Sequence, residues 1–203
     1  MIRIEGHVFN QELLTPDSVV IDVGGNNGGF SHRILNDYQC NVICYEPDPT
    51  AYNHLKDSIH SNKFVMVNKA VAGHNGQRLF YCASPMNGGN SLFPGSPEFE
   101  RLSGASTYLI ESMSFDDVIQ PFPQIDMVKM DCEGSEFEII RESNIEGFKK
   151  IRQLSIEFHD FCFKSFSKKD VEECVEILKY SGFQATCDTF NSPSDYYFFR
   201  QDF

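Results

Sequence analysis

Basic residues are scarce in this sequence. Seventeen lysines and arginines face 29 aspartates and glutamates, for a formal net charge of −12. A nucleic-acid groove needs a basic surface to displace counter-ions, so that class of partner is not expected. Paired cysteine motifs are missing too. The seven cysteines, at 40, 44, 82, 132, 162, 174 and 187, are odd in number and never stand in C-x-x-C spacing. Neither a disulfide framework nor a zinc cage follows, and reduced thiols in a cytoplasmic setting are expected. No apolar run approaches a membrane span. The start MIRIEGHVF has no basic flank followed by an apolar core, so no signal peptide is expected. The dinucleotide fingerprint G-x-G-x-x-G is also absent. What is present is an ordinary globular composition, 41% hydrophobic and 23% charged. Its 203 residues suit a single domain over 1–203, with 1–18 as a lead-in.

The chain is organised around VVIDVGGNNGGFSHRIL, residues 19–35. Val19, Val20, Ile21 and Val23 form a short β-branched run suited to a strand buried on both faces. Gly24, Gly25, Gly28 and Gly29 follow with two asparagines, more than a plain turn needs. Phe30, Ile34 and Leu35 then share one helical stripe. Strand, glycine turn and helix together hold a nucleotide at the carboxyl edge of a parallel sheet. Asp22 stands just before the glycines, where it opposes a pyrophosphate and suits a cationic or zwitterionic ligand such as the arm of S-adenosylmethionine. Glu46 ends the next strand pattern, 22 residues after Gly24, and is placed to accept hydrogen bonds from both ribose hydroxyls. Together these acids favour a methyl donor over a nicotinamide dinucleotide.

Further strands are predicted at 64–67, 125–130 and 154–158, and helices after Pro49, after Ser135 and over 168–181. A hairpin turning at His74-Asn75-Gly76 is expected to pair 70–72 with 79–82. Residues 84–106, rich in Gly, Pro and Ser, read as a long loop on the acceptor side. Asn87, Asn90 and Ser91 are its candidate substrate contacts, and Gly88, Gly89 and Gly104 its hinges. Phe183–Cys187 and Tyr196–Arg200 are expected to close the sheet as an antiparallel hairpin. The predicted fold is therefore α/β and Rossmann-like: a seven-stranded, mostly parallel sheet with helices on both faces.

The segments IDVGGNNGGFS, YEPDP, VKMDCEGSEFEII and SIEFH occur in the order and spacing of the FkbM-type S-adenosylmethionine-dependent methyltransferases, which this chain resembles from about residue 19 to 200. The resemblance implies a class I methyltransferase fold, S-adenosylmethionine as donor, and O-methylation of a sugar, glycan or natural product. It places donor binding at Asp22, Gly24, Gly25, Asn26, Gly28, Glu46, Pro47, Ala70 and Asp131. It places a second cluster at Asp131, Glu133, Glu136, Glu157 and His159. The family commonly has alanine where this chain has Gly25.

All of that second cluster except Glu136 falls at strand ends, where ligands bind in open α/β sheets. Glu136 reads as a first-turn helix carboxylate favoured by the dipole. Methyl transfer to an alcohol requires removal of the hydroxyl proton, and His159 is the residue suited to take it, with Asp131, Glu133 and Glu157 beside it. A divalent cation held by Asp131, Glu133, Glu157 and His159 is the alternative, with magnesium or calcium the fitting ions. The metal-free base is preferred because the cluster holds only one histidine. His7, His32, His54, His60 and His74 carry no spacing that marks them. A non-catalytic donor-binding module and a nicotinamide oxidoreductase remain the competing functions, and a homodimer stays open.

Overall fold

The computed structural model describes residues 1–187 and 194–201. Its central strand β3 (Val19–Val23) lies in parallel register between β4 (Asn41–Tyr45) and β9 (Ile125–Met130), with Val20 opposite both Val42 and Met127. Burial on both faces explains why the run is continuous in Val and Ile rather than alternating. The full sheet has the order β11-β12-β10-β9-β3-β4-β5, where β5 is Phe64–Val67, β10 Ile151–Glu157, β11 Gln184–Cys187 and β12 Asp195–Phe199. The chain leaves β3 toward β5 and then returns on the other side through β9. The β3/β9 junction is therefore the switch point where such sheets open a crevice. Only β12 runs against its neighbours, pairing antiparallel with β10 and β11.

One face of the sheet packs Phe30 and Ile34 of α1 (Gly29–Tyr38) against Val20, Val42, Met127 and Phe9. The other packs α4 (Phe115–Ile119), α5 (Ser135–Glu142), α6 (Ile145–Phe148) and α7 (Lys168–Tyr180) over Val128, Leu154 and Phe198. In α7 the stripe Val171, Cys174, Val175 and Leu178 is the buried face, as its spacing requires. Among the described residues no helix is long and apolar enough to cross a membrane, and Cys40, Cys44, Cys82, Cys132, Cys162 and Cys174 form no disulfide. The stretch 188–193, the connection of the expected closing hairpin, lies outside the described residues.

Two expectations change. Strands β6 (Ala70–Ala72) and β7 (Gly76–Cys82) do not pair with each other. The strand β8 (Ser106–Ser114) lies between them, parallel to β6 and antiparallel to β7. The turn is drawn to β8 by its own polar groups: Ser112 donates to the carbonyls of His74 and Gly76, and the Ser114 N–H donates to Asn75. The lead-in is also structured. Strands β1 (Ile2–Ile4) and β2 (His7–Phe9) form a hairpin whose turn residues Glu5 and Gly6 both have positive φ, the geometry of a two-residue primed turn. That hairpin packs on β10 and β12 and carries His7 toward the switch point.

Candidate active site

The donor half is built by backbone first. Gly24 has φ +85°, and a Cβ there would overlap the carbonyl oxygen of Asp131. Glycine is what lets the ends of β3 and β9 meet. The N–H groups of Gly24 and Gly25 donate to the Tyr45 carbonyl at 3.0 and 3.1 Å, turning the loop toward β4. Glu46 follows β4 directly and is 5% exposed. Its two oxygens accept the N–H of Asn26 and of Asp48, each at 2.7 Å. Burial pushes its pKa up to about 7, against the pull of those backbone donors. Asp48 caps the helix α2 (Pro49–Ser58) through the Thr50 N–H at 2.8 Å. Its other oxygen takes the Met86 N–H at 2.7 Å and Asn90 Nδ2 at 3.2 Å, fastening the 84–92 segment to the sheet edge.

Gly24, Asn26, Glu46, Pro47, Ala70 and Asp131 line a cavity of about 470 Å³ at the switch point, whereas Asp22, Gly25 and Gly28 do not. Asp22 is fully buried behind the loop. It accepts from Ser31 Oγ at 2.7 Å and lies 3.2 Å from Lys129 Nζ, so its partners are inside the protein. A Cβ at Gly25 would overlap Cys44 Sγ, and one at Gly28 would overlap Leu55. These two glycines serve packing beneath the loop. The family's alanine has no room at position 25 here.

Lys129 is a site-building residue that sequence reasoning missed. Its register partner on β3 is Asp22, and Nζ also lies 3.5 Å from Asp131 and donates to the Gly24 carbonyl. Burial works against the ammonium, but Asp22 and Asp131 outweigh it and hold the lysine charged. The available signal was a lysine among apolar residues in the buried second half of a central strand, which requires a buried anion.

The acceptor half centres on His159, at 3% exposure. Buried Glu136, on the first turn of α5, accepts the Cys132 and Gly134 N–H groups at 2.7 and 2.9 Å, and His159 Nδ1 at 3.1 Å. It is thus an orienting group as well as a dipole-favoured one. With Nδ1 held as donor, Nε2 points to Glu133 at 3.3 Å and Asp131 at 3.6 Å. Burial disfavours the imidazolium, yet the charge of Glu136 and the hydrogen bond to Glu133 prevail and raise its pKa well above the usual value. Burial opposes ionisation of Asp131 as well, but Lys129, His7 and His159 hold its carboxyl well below the usual range. Burial and the neighbouring Asp131 charge push Glu157 up to about 7.

His7 was also unmarked in the sequence. Its Nε2 lies 3.4 Å from Asp131 and its Nδ1 3.2 Å from Ser155 Oγ. No spacing could reveal it, because the hairpin docks it from 124 residues away. The expected cation set of four divides in two. Asp131, Glu133 and His159 gather in one group and His7, Asp131 and Glu157 in another, each with ligand atoms within 4.8 Å.

Residues 84–106 roof this cavity, with Met86–Leu92 and Glu98 on its lining. They are not structureless: Ser91 bridges to Tyr81, and Pro97–Arg101 form the short helix α3. Asn90 is engaged by Asp48, the Ala83 N–H and the Ser84 carbonyl, and Ser91 Oγ donates to the Glu133 carbonyl. Those two side chains hold the roof in place instead of reaching an acceptor.

A family model described as the methyltransferase FkbM domain matches residues 22–185. The 2-O-methyltransferase NoeI of Sinorhizobium fredii is 25% identical over 164 residues, covering 73% of this chain and 66% of its own length. The hexuronic acid methyltransferase AglP of Haloferax volcanii is 23% identical over 177 residues, covering 81% and 64%. The chain thus spans just under two thirds of either relative. Among solved structures, the fibrillarin pre-rRNA processing protein of Methanococcus jannaschii shares the fold, with a TM-score of 0.51 at 12% identity over 96% of this chain and 69% of that one.

Proposed function

Because this chain belongs to the FkbM methyltransferase family, we propose that it is a single-domain O-methyltransferase that uses S-adenosylmethionine and acts on a hydroxyl of a sugar, glycan or natural-product acceptor. The observation that carries this reading is a histidine whose Nδ1 is fixed by buried Glu136, whose Nε2 lies beside Glu133, and which lines one cavity together with Glu46. The names of NoeI and AglP, a 2-O-methyltransferase and a hexuronic acid methyltransferase, support a sugar hydroxyl as acceptor.

The donor half fits S-adenosylmethionine. Each Glu46 oxygen takes one backbone N–H and keeps a lone pair for a ribose hydroxyl. Gly24, Asn26, Pro47 and Ala70 complete the residues that hold the donor. When bound, the donor supplies an electrophilic methyl carbon on a sulfonium. The chain supplies the rest. His159 Nε2 takes the acceptor's hydroxyl proton as general base, Glu136 keeps the ring in the required tautomer, and Glu133 and Asp131 stabilise the imidazolium that forms.

A second reading has one observation in its favour. Asp131, Glu133 and His159 offer three ligand atoms within 4.8 Å, a set suited to a divalent cation that acidifies the alcohol. Lys129 Nζ, 3.5 Å from Asp131, opposes it by placing a positive charge beside the shared ligand. A non-catalytic module is disfavoured because donor binding alone has no use for the acceptor half.

Calorimetry with S-adenosylmethionine, followed by mass spectrometry of extracts for a gain of one methyl group, tests the activity. His159→Gln is expected to lose about 10²–10⁴-fold in turnover while keeping donor affinity. Activity that vanishes with chelator and returns with one cation would replace the base by the metal.

A further inference from the structure

Six carboxylates line the cavity, those of Glu46, Asp48, Glu98, Asp131, Glu133 and Glu157, and no lysine or arginine does. The chain itself answers four of them. Glu46 and Asp48 accept backbone N–H groups, Asp131 meets Lys129 and His7, and Glu133 meets His159. The side-chain carboxylates of Glu157 at the end of β10 and Glu98 on α3 make no hydrogen bond or ion pair among the described residues, although Glu157 stands within 4.8 Å of His7 and Asp131.

In the same cavity, beside His159, stands an aromatic ring that packing does not explain. Phe161 lines the cavity, is 62% exposed, and has its centroid 5.7 Å from the His159 ring. Carboxyl groups without a counter-charge in a partly dehydrated cavity, Glu157 raised to about 7 among them, are ionised by an entering cation and hold it. An open aromatic face beside them is a surface that holds ammonium groups and the C–H face of a sugar.

Resting on the reading of this cavity as a methyl-acceptor site, we propose that the acceptor is a hydroxylated amine, an amino sugar or amino alcohol in its ammonium form. Glu157 and Glu98 are its counter-ions, Phe161 packs against its apolar face, and acceptors bearing a carboxylate are excluded. The methyl donor is itself cationic, so the test separates the two sources of positive charge.

The 203-residue chain is assayed with S-adenosylmethionine and a matched set of glucosamine, N-acetylglucosamine, glucose and glucuronic acid. Release of S-adenosylhomocysteine is followed, and binding of each sugar to the S-adenosylhomocysteine-loaded protein is followed by saturation-transfer NMR. Glucosamine should exceed its N-acetyl derivative by about 10–100-fold in kcat/KM or in affinity, as one charge-assisted contact predicts, and glucuronic acid should rank last. Glu157→Gln should shrink that ratio without changing the relative affinity for S-adenosylmethionine and S-adenosylhomocysteine. Glu98→Gln, on the short roof helix, gives the same readout should the first variant fold poorly. Glucuronic acid equal to glucosamine in both readouts overturns the proposal. So does a Glu157→Gln loss confined to S-adenosylmethionine affinity, which would make the donor the cation. Absence of S-adenosylmethionine binding is a different result, and it would sink the methyltransferase reading itself.

Discussion

At the scale of single residues, the site depends on which carboxylates have a counter-charge. Glu46 titrates near 7 because burial outweighs its two backbone donors. Accepting both ribose hydroxyls requires the ionised form, so donor affinity should rise as pH passes upward through about 7 and binding should release protons below it. Calorimetry at one pH in buffers of different ionisation enthalpy reads that proton release, and its absence in Glu46→Gln completes the check. Lys129 shows the opposite dependence, on a partner that must stay charged. Lys129→Met leaves Asp22 buried without its cation and should cost about 3–5 kcal/mol. Adding Asp22→Asn should recover most of that loss, as measured by denaturant midpoints. A double variant no more stable than the single one would show that the pair is not a unit. The turnover profile of the intact protein should rise with pH through an ionisation above the ordinary histidine value, because loss of the His159 proton is opposed by Glu136 and Glu133.

At the scale of elements, the roof segment is where sequence and structure part most instructively. A Gly- and Pro-rich stretch reads as a loop, yet Asp48 and Ser91 fix its first half to the turn after β4 and to the turn after β9. Deleting 94–104 removes α3 and Glu98 but leaves those anchors in place. Donor affinity should survive in the deletion while methyl transfer falls at least about tenfold; full activity would take the segment out of the mechanism. The strands and helices of the main sheet were legible because their periodicity is local: Val19–Val23 as a buried run, the α7 stripe as a helical one. The acids at strand ends were legible for the same reason, since a strand end is marked by its own flanks. Register was not. That Lys129 lies across from Asp22, that β8 separates β6 from β7, and that His7 reaches Asp131 are all facts about segments far apart in sequence. Glu136 shows the remaining kind of miss: its helix-start position was visible, but the histidine it orients comes from another strand.

At the scale of the whole molecule, the buried titrating groups act in one direction. Glu46 and Glu157 titrate near 7 in place of 4.5, so between about 4.5 and 7 the folded chain binds more protons than the unfolded one and stability falls as pH rises. His159, raised above its ordinary value, contributes stability that is lost as pH climbs through its folded-state ionisation. Self-repulsion of a chain carrying −12 adds to the trend. The ligand-free protein should therefore melt highest near about pH 5 and progressively lower toward about pH 9; a melting point that rises over that interval would contradict these assignments. Asp131 acts only at the far acid side, where protonating it removes the answer to Lys129. The β3/β9 junction also dictates an order of events during synthesis. Val19 and Asp126, hydrogen-bonded across it, are 107 residues apart. An emerging chain holds β3, β4 and β5 well before β9 exists, with one edge of β3 open and Asp22 still in water. Such long-range pairing makes for slow folding and an exposed edge in the interim. The crevice thus closes only after β9 has left the ribosome, and a ribosome stalled before residue 125 would release a chain prone to edge-to-edge association.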